Sequence, residues 1–595
     1  MTRPSKHLRT AGLALTALIA MGAFWGPAFY QGGTGFGDWQ WFHHMWEAGR
    51  IAMVRWGEPP LYNPYHCGGV PLWGNPQLQA LAPTYWITAL PFGTTLGHKL
   101  FILLHAVAGW MGAYALGRRE LKLSPVAATY AAAVWCASGF FTSHVSGGHS
   151  TFLAFYYGPA LLYAWRRAEE DVRWSSAVAA WMVLIVAEGG HYPFPYFVLW
   201  LGFDVLVRFA SNPKRWKGLV RAAAVSGLLT GLAGAYRFVP ILLAVTSHPN
   251  LVPDNDSLTP SEVLDILTIR THGWTYEGHR WVWPEYQGYV GYGVLGLALV
   301  GFVIALAKRQ RGMRLTDQRL WILAGVILFF LFTQGAASPY HPWPLIQELP
   351  FYRSIHVPSR FRVLLTLYLA YLGGLAIDVF FEWCSRLKFW PDARVLAPWI
   401  LVLGILGDLV ATNEIAMNRW DGPAIGRMPR AEHYHLVAGG DYFQEYGTYP
   451  SANLGTTECY DPIPWERARS LRRGDVPQVE ADAGRVLSEG RTSRTIWAEV
   501  DAEATRLVFN NNFITGWVSP QGEVVEDDGR LAVVLARQGN QRVTLTYAPR
   551  DIVPVVSVTA FGWLALLLLP WGVSAWRQRR TRATSAKPSV IGGQG

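Results

Sequence analysis

The stretch AGLALTALIAMGAFWGPAFYQGGTGFGD, residues 11–38, sets the class of this chain. Its first part, residues 11–30, is apolar and has the length that an α-helix needs to cross the hydrocarbon core of a bilayer. A glycine-rich turn follows, and then a single carboxylate, Asp38. The pattern predicts a membrane span with an acid directly beyond its end. That acid is either a hydrated loop residue or the centre of a reaction.

The composition agrees with a polytopic membrane protein. Hydrophobic residues make up 51% of the 595 residues and charged residues only 15%, whereas soluble proteins carry about a quarter. The 29 tryptophans also favour a membrane interface. About twelve apolar segments are predicted to span the bilayer, near residues 11–30, 96–117, 124–142, 151–165, 175–190, 194–209, 219–244, 289–307, 320–336, 359–383, 395–412 and 552–576.

The basic residues predict the orientation of the chain. They cluster on alternate connections between the spans, as in the RR pair at 118–119 and the KRQR run at 308–311. Residues 31–97, by contrast, hold only Arg50 and Arg55. The positive-inside rule then places both termini in the cytoplasm of a multi-pass protein of the inner (plasma) membrane. The net charge of +10 is therefore a topology signal, and we expect no nucleic-acid partner.

The chain divides into a membrane part and an outer part. Residues 1–412 are predicted to form an all-α membrane bundle with outer loops at 31–97 and 245–288. Residues 413–551 alternate apolar and polar residues between turn signals, which predicts a mostly-β, sandwich-like domain outside the cytoplasm. A final helix at 552–576 and a cytoplasmic tail at 577–595 follow. Cys67 and Cys459 both fall on the outer side and could pair, but we expect free thiols.

Asp38 is the candidate catalytic residue. A carboxylate beside the membrane surface can act as a general base on a hydroxyl if a cleft shields it. Asp is also a preferred N-cap, and composition alone favours a cap for the helix that starts in WQWFHHMWEAG. His43 and His44 follow as candidate substrate contacts. Although Glu47 lies one turn after His43, no second cluster completes a metal site, so we expect no metal and no cofactor.

The loop GEPPLYNPYHCGGVPLWGNPQ, residues 57–77, has the residue types of a sugar-binding cleft. Aromatic faces stack on the CH-rich faces of sugars, and amides bond to hydroxyls. A purely structural role for this loop is equally compatible with its prolines and glycines. The candidate substrate-binding residues here are Tyr62, Asn63, His66, Asn75 and Gln77.

Ionisable residues at the outer ends of the spans form a second candidate set. His149, His191 and Glu285 are further substrate-binding candidates, because ionisable groups at membrane depth are usually functional. Arg237, Arg353 and Arg360 are candidates for a donor phosphate, which arginine binds with two parallel hydrogen bonds. Arg362 is expected to be a helix-end anchor. Anchoring at the lipid headgroups is the alternative for all of these arginines.

The chain resembles the YfhO-like bacterial integral membrane proteins within the GT-C superfamily of glycosyltransferases. The stretches that carry the resemblance are GDWQWF, the loop at 57–77, PEYQGYVGYGVLGLAL, FYRSIHVPSRFRVLL and NNFITGWVSPQGE. The resemblance implies an inverting sugar transfer from a polyprenyl-phosphate donor to an extracytoplasmic glycan, lipid or protein hydroxyl. It also implies a catalytic acid in the first outer loop, where Asp38 stands. A lipid-linked glycan transporter or flippase and a non-catalytic envelope assembly protein are the alternatives.

Overall fold

The computed structural model describes residues 6–30, 37–252, 254–307, 317–386, 393–418, 428–439 and 445–585. This part of the chain is mostly helical, with a β-rich region before the last helix. The helices are α1 Lys6–Phe24, α2 Gly26–Tyr30, α3 Trp39–Arg50, α4 Pro83–Phe92, α5 Thr94–Arg119, α6 Pro125–Cys136, α7 Gly139–Ser146, α8 Gly158–Glu170, α9 Ser175–Ala187, α10 Pro193–Ser211, α11 Trp216–Ala233, α12 Ala235–Ser247, α13 Pro260–Thr268, α14 Gly291–Ala307, α15 Asp317–Thr333, α16 Pro342–Gln347, α17 Arg362–Arg386, α18 Ala393–Asn418 and α19 Ile552–Ser585.

The helices make this a multi-pass membrane protein. Within the described residues, six helical segments are long and apolar enough to cross a bilayer, or seven if a bent pair counts as one span. Four further apolar helices are shorter, at 10–17 residues. The predicted segment at 151–165 is a 3₁₀ helix, Ser150–Tyr157, that continues into α8. The twelve predicted segments are thus helical, while their number as spans is not confirmed.

One predicted span, 219–244, is broken in the structure. α11 ends at Ala233, α12 begins at Ala235, and the two helices meet at an angle of 76°. Gly234 joins them, and a Cβ there would lie 2.6 Å from the Phe238 ring and 2.8 Å from the Thr230 carbonyl oxygen. Glycine allows this close approach, and any side chain there would require the Phe238 ring or the backbone to shift. The apolar residues continue through the break, so the sequence pattern predicts one uninterrupted span.

The prediction of a β-rich region before the last helix is confirmed, although helix α18 continues to Asn418, inside the predicted range 413–551. Its strands are β3 His435–Val437, β4 Leu454–Thr456, β5 Val479–Ala481, β6 Val486–Arg491, β7 Thr495–Val500, β8 Arg506–Asn512, β9 Trp517–Val518, β10 Gly522–Asp527, β11 Arg530–Leu535 and β12 Gln541–Tyr547. Two four-stranded antiparallel sheets have the orders β10-β11-β8-β5 and β6-β7-β12-β9. Residues from both sheets belong to one hydrophobic cluster, while the predicted sandwich is not confirmed. The last helix runs on to Ser585, into the segment 577–595 that was predicted as a tail.

The first outer loop is docked on the β-rich region. It contains the short strands β1, Tyr62–Asn63, and β2, Val70–Pro71, which pair with each other. Leu61, Tyr62 and Trp73 lie in the same hydrophobic cluster as the strands of the two sheets. Cys67 and Cys459 form a disulfide between the two regions, so the expectation of free thiols was wrong. The sequence could not show this pairing because 392 residues separate the two cysteines.

Candidate active site

A cavity of about 660 Å³ opens where the outer ends of several helices meet the outer loops. Its walls come from the start of α3, the loop between α9 and α10, helix α12, the segments around 281–285 and 351–360, and residues 460–462. Polar groups gather at one end and apolar side chains line the other. The ionisable side chains in the cavity wall include those of Asp38, His149, His191, Glu285, His356 and Arg360.

Asp38 faces this cavity and does not cap its helix. It precedes the first residue of α3, but its backbone is helical and its side chain makes no capping hydrogen bond. The carboxylate instead accepts a hydrogen bond of 3.0 Å from the hydroxyl of Tyr460. Its other oxygen lies 3.4 Å from Nε2 of His149. The capping role favoured by composition is therefore wrong, because the side chain has turned from the helix end toward the cavity.

A close backbone contact fixes the position of Asp38. Gly148 has a φ of +93°, and a Cβ there would lie 2.7 Å from the carbonyl carbon of Asp38 and 2.8 Å from its Cα. The Asp38 amide also donates to the Gly147 carbonyl oxygen at 3.4 Å. Because these glycines leave no gap, the segment that ends in His149 packs directly on the start of α3. The imidazole and the carboxylate thus come from two chain segments held against each other.

His149 connects Asp38 to a second acid. Its Nε2 lies 3.5 Å from Oε1 of Glu285, and its Nδ1 hydrogen-bonds Nδ1 of His144 at 2.9 Å. His144 continues to Arg362, whose Nη2 lies 3.2 Å from Nε2 of the imidazole. A continuous row of polar groups therefore runs from Asp38 at the cavity into the protein. Such a row fixes the orientation of each imidazole.

Glu285 forms a buried ion pair with Arg360. Both carboxylate oxygens accept from this guanidinium, at 2.8 Å from Nε and 2.7 Å from Nη2. Burial alone would favour the neutral acid, but the charge and hydrogen bonds of Arg360 outweigh it and lower the pKa of Glu285 to about 2. Glu285 is therefore ionised at neutral pH. The remaining nitrogen of Arg360, Nη1, has no hydrogen-bond partner among the described residues.

Aromatic rings and neutral histidines line the wall next to Arg360. The guanidinium lies 4.4 Å from the Tyr192 ring centroid, and the Tyr192 hydroxyl hydrogen-bonds Nδ1 of His356 at 2.8 Å. Trp281 stacks on His356 with ring centroids 4.8 Å apart. Burial, assisted by the charge of Arg360, lowers the pKa of His356 to about 3 and that of His191 to about 4. Both imidazoles are thus uncharged at neutral pH.

The other end of the cavity is apolar. Helices α10 and α12 supply its wall through Phe194, Val198, Phe238, Ile241, Leu242 and Val245. Val198 is 45% exposed and Leu242 46% exposed, although both line a cavity. The polar end is therefore continuous with a hydrophobic face on the membrane-spanning helices. An amphiphilic ligand with a charged group and a hydrocarbon chain fits this division.

Gln77 is the residue of the 57–77 loop that reaches the cavity wall among the five predicted there. Its side-chain oxygen accepts from Nε1 of Trp41 at 2.9 Å. Asn75 lies one step behind and donates to the carboxylate of Asp461 at 2.9 Å. Among the predicted sugar-binding residues of this loop, Gln77 thus lines the cavity, and Asn75 contacts Asp461 of the cavity wall.

The other predicted residues of the first outer loop serve packing. The Tyr62 hydroxyl accepts from Asn511, and Asn63 accepts from the amide of Tyr65. His66 hydrogen-bonds the Tyr446 hydroxyl, and His44 stacks on the same ring. His43 is buried, and burial lowers the pKa of both His43 and His44 to about 4. None of these five residues lines the described cavity.

The three arginines predicted for a donor phosphate lie in different places. Only Arg360 lines the cavity. Arg237 is buried and donates to the carbonyl oxygens of residues 73, 75 and 78, so it holds the first outer loop in place. Arg353 is exposed and lies 3.4 Å from Glu348. Neither Arg237 nor Arg353 lines this cavity, so Arg360 is the one of the three that could meet a phosphate there.

A metal ion has one candidate position among the described residues. Ligand atoms of His144, His149 and Glu285 lie within 4.8 Å of one another. Both oxygens of Glu285 are already bonded to Arg360, and a guanidinium repels a cation. His43 and Glu47 form no such group, since the Glu47 oxygens accept from Arg50 and Thr94. The chemistry of these residues favours acid–base work over metal ligation.

Comparisons with known proteins give distant structural likenesses. The chain matches no protein-family model and no curated protein. Its structure is similar to the arabinofuranosyltransferase AftD from mycobacteria, with a TM-score of 0.46 and 14% identity over 92% of this chain and 40% of that chain. The Archaeoglobus fulgidus oligosaccharyltransferase gives 0.43 and 12% over 76% and 64%. ArnT from Cupriavidus metallidurans, bound to undecaprenyl phosphate, gives 0.38 and 14% over 77% and 87%.

The chain spans less than two thirds of the length of the first two of these proteins. At these TM-scores and identities, the likenesses carry no assignment by themselves. The function of this chain is therefore inferred from the side chains that line the cavity.

Proposed function

We propose that this chain is an integral membrane glycosyltransferase that moves a sugar from a polyprenyl-phosphate donor to an acceptor hydroxyl. The observation that carries the proposal is the single cavity in which Asp38, Arg360 and the apolar wall of α10 and α12 meet. A base, a cation and a hydrocarbon surface are the three features that such a reaction requires. Each lies on a different part of the chain, and the fold brings them together.

The donor lies along this division of the cavity. Its polyprenyl chain packs on the apolar side chains of α10 and α12, which buries the hydrocarbon away from water. Its phosphate lies beside the Arg360 guanidinium, the cation in the cavity wall. Trp281, stacked on His356, offers an aromatic face to the sugar, and the neutral imidazoles bond to hydroxyls without adding charge.

Asp38 acts as the general base in this mechanism. The acceptor oxygen forms a bond to the anomeric carbon while its proton passes to the Asp38 carboxylate. The bond between that carbon and the phosphate oxygen breaks, and the electron pair leaves with the polyprenyl phosphate. Attack opposite to the leaving group inverts the anomeric configuration. Arg360 stabilises the negative charge that develops on the leaving phosphate.

The cavity faces away from the cytoplasm in this proposal. The Cys67–Cys459 disulfide lies on the same side as Asp38, and such bonds persist in oxidising compartments. The basic residues at 118–119, at the far end of α5 from this side, fit the cytoplasmic face. The acceptor is therefore an extracytoplasmic glycan, lipid or protein, and the chain resides in the inner membrane with both termini inside.

Transfer is tested with purified protein in lipid vesicles and a panel of polyprenyl-phosphate pentoses and hexoses. Release of free polyprenyl phosphate is measured, because this product appears whichever acceptor is used. We expect release that depends on an acceptor fraction from the cell envelope and is lost in Asp38→Asn. A transporter or an assembly protein needs no base, so donor translocation or partner binding that survives this change, without release, would replace the enzyme proposal.

A further inference from the structure

The β-rich region supplies a residue to the polar end of the cavity. Tyr460 lies 422 positions after Asp38, and its hydroxyl donates to the Asp38 carboxylate at 3.0 Å. His149 lies beside the other oxygen of the same carboxylate at 3.4 Å. Both oxygens thus have a neighbour that defines their direction. One neighbour comes from the membrane bundle and the other from the outer region.

The segment that carries Tyr460 is attached to the first outer loop at several points. Cys459, the preceding residue, forms the disulfide with Cys67. Asp461, the following residue, accepts from Asn75 at 2.9 Å and from the amide of Ile463 at 2.8 Å. The carboxyl of Asp461 is buried, and burial raises its pKa to about 8.

These attachments matter because the side chain of Tyr460 is half exposed. A tyrosine on a free loop would sample several rotamers and hydrogen-bond to water. The covalent bond to Cys67 on one side and the hydrogen bond to Asn75 on the other restrict the backbone of this segment. The ring edge also meets Trp41, with centroids 6.2 Å apart. The hydroxyl is thereby held at the carboxylate.

We propose that Tyr460 is a positioning residue that orients the Asp38 carboxylate for proton transfer, and that the Cys67–Cys459 disulfide holds Tyr460 in place. This inference rests on the proposed function of Asp38 as the base. Tyr460 acts through Asp38 and takes up no proton in the reaction. A carboxylate with both oxygens oriented presents a fixed lone pair to the acceptor hydroxyl, whereas one that rotates freely does so only part of the time.

The first test is Tyr460→Phe, which keeps the ring and removes the donor. We expect kcat to fall about tenfold, the effect of losing one hydrogen bond to a charged group, while KM for the donor stays the same. Tyr340→Phe is the matched control, since Tyr340 is 91% exposed and does not line the cavity.

The second test removes the disulfide with the double variant Cys67→Ala, Cys459→Ala. We expect the same loss of kcat as in Tyr460→Phe, and little further loss when the two changes are combined, because both act on one interaction. Thiol labelling and thermal unfolding in detergent show that each variant is folded and that Tyr460→Phe keeps its disulfide. Losses that multiply in the combined variant would overturn the link between the disulfide and Tyr460.

Asp38→Asn separates the inference from the proposed function. If this variant keeps full activity, Asp38 is not the base and the proposed function fails, whatever Tyr460 does. If it is inactive while Tyr460→Phe keeps the parent kcat, only the positioning role of Tyr460 is wrong. Inactivity of Asp38→Asn, with a lower kcat and an unchanged KM in Tyr460→Phe, supports both.

Discussion

Asp38 is the residue on which the proposed chemistry depends most. Asn has the same size and fits the same backbone, but it cannot take a proton. We therefore expect Asp38→Asn to lower kcat by roughly 10²–10⁴-fold, the usual contribution of a general base, with unchanged expression and membrane insertion. Polyprenyl phosphate release measures the effect. Asp265→Asn is the matched control, because Asp265 is exposed and outside the cavity. An equal loss in both variants would point to instability.

Arg360 is the second residue whose role can be measured. Arg360→Ala leaves the Glu285 charge buried without its partner, which destabilises the fold, so Arg360→Lys is the better change. Lys keeps the charge but lacks the planar fork. We expect apparent donor affinity to fall about tenfold in Arg360→Lys. Donor titrations in lipid check this, with Arg353→Lys as the control. If both variants bind the donor like the parent, the phosphate lies elsewhere.

The sequence identified several residues of this cavity but could not select them. Asp38, His149, Glu285 and Arg360 were among the candidates because ionisable groups at the outer ends of spans are unusual. The same reasoning included Arg237, whose guanidinium serves carbonyl oxygens instead. The distribution of Lys and Arg predicts on which side of the membrane a residue lies, whereas the direction of its side chain depends on tertiary packing. Aromatic residues such as Tyr460, Trp281 and His356 gave no separate signal in a chain so rich in aromatics.

At the scale of elements, the contact between Gly148 and the start of α3 is the most sensitive joint near the site. A Cβ at this position would overlap the backbone of Asp38 and Trp39, and the φ of +93° strains any other residue. We expect Gly148→Ala to destabilise the protein by about 1–3 kcal/mol and to lower transfer by displacing Asp38. Thermal unfolding in detergent and release assays measure both effects. Gly227→Ala, with open space around its Cα, should change neither.

Elements were predicted where hydrophobic periodicity is enough to define them. The apolar segments became helices, and the alternating segments after 478 became antiparallel strands. The sequence does not predict the break between α11 and α12, because a glycine such as Gly234 is common within apolar membrane segments. Its effect is nevertheless large, since the bend turns α12 and its apolar side chains into the cavity wall. Backbone geometry at a single glycine carries no hydropathy signal.

At the scale of the whole molecule, the first outer loop and the β-rich region form one unit. Tyr62 packs against Trp517 and Tyr547, with ring centroids 5.0 Å from each. We expect Tyr62→Ala to destabilise this contact by about 3–5 kcal/mol, as for other buried aromatic truncations, and to expose the region to protease. Limited proteolysis of membranes checks this. Tyr292→Ala, an exposed residue of α14, is the control, and equal protection in both variants would contradict a shared core.

Composition and charge predicted a multi-pass membrane protein, and apolar–polar alternation predicted the β-rich region, because these properties are sums over many residues. The contacts between distant parts of the chain could not be read in the same way. Asn512 bonds the carbonyl oxygen of Cys67, and Gln40 of α3 accepts from the amide of Gly447. Each contact joins residues separated by hundreds of positions, and no local pattern announces it. The disulfide belongs to the same class.

The separation of Cys67 and Cys459 by 392 residues also has a consequence for biosynthesis. Ribosomes add about 5–20 residues per second, so Cys67 is made roughly 20 to 80 seconds before its partner. During that interval the chain already contains Asp38 and most of the membrane helices, but no Tyr460. A stalled or truncated chain therefore occupies the membrane without a complete cavity. The disulfide can form only after the second cysteine is translated, while the strands from Val479 onward and the last helix are still to follow.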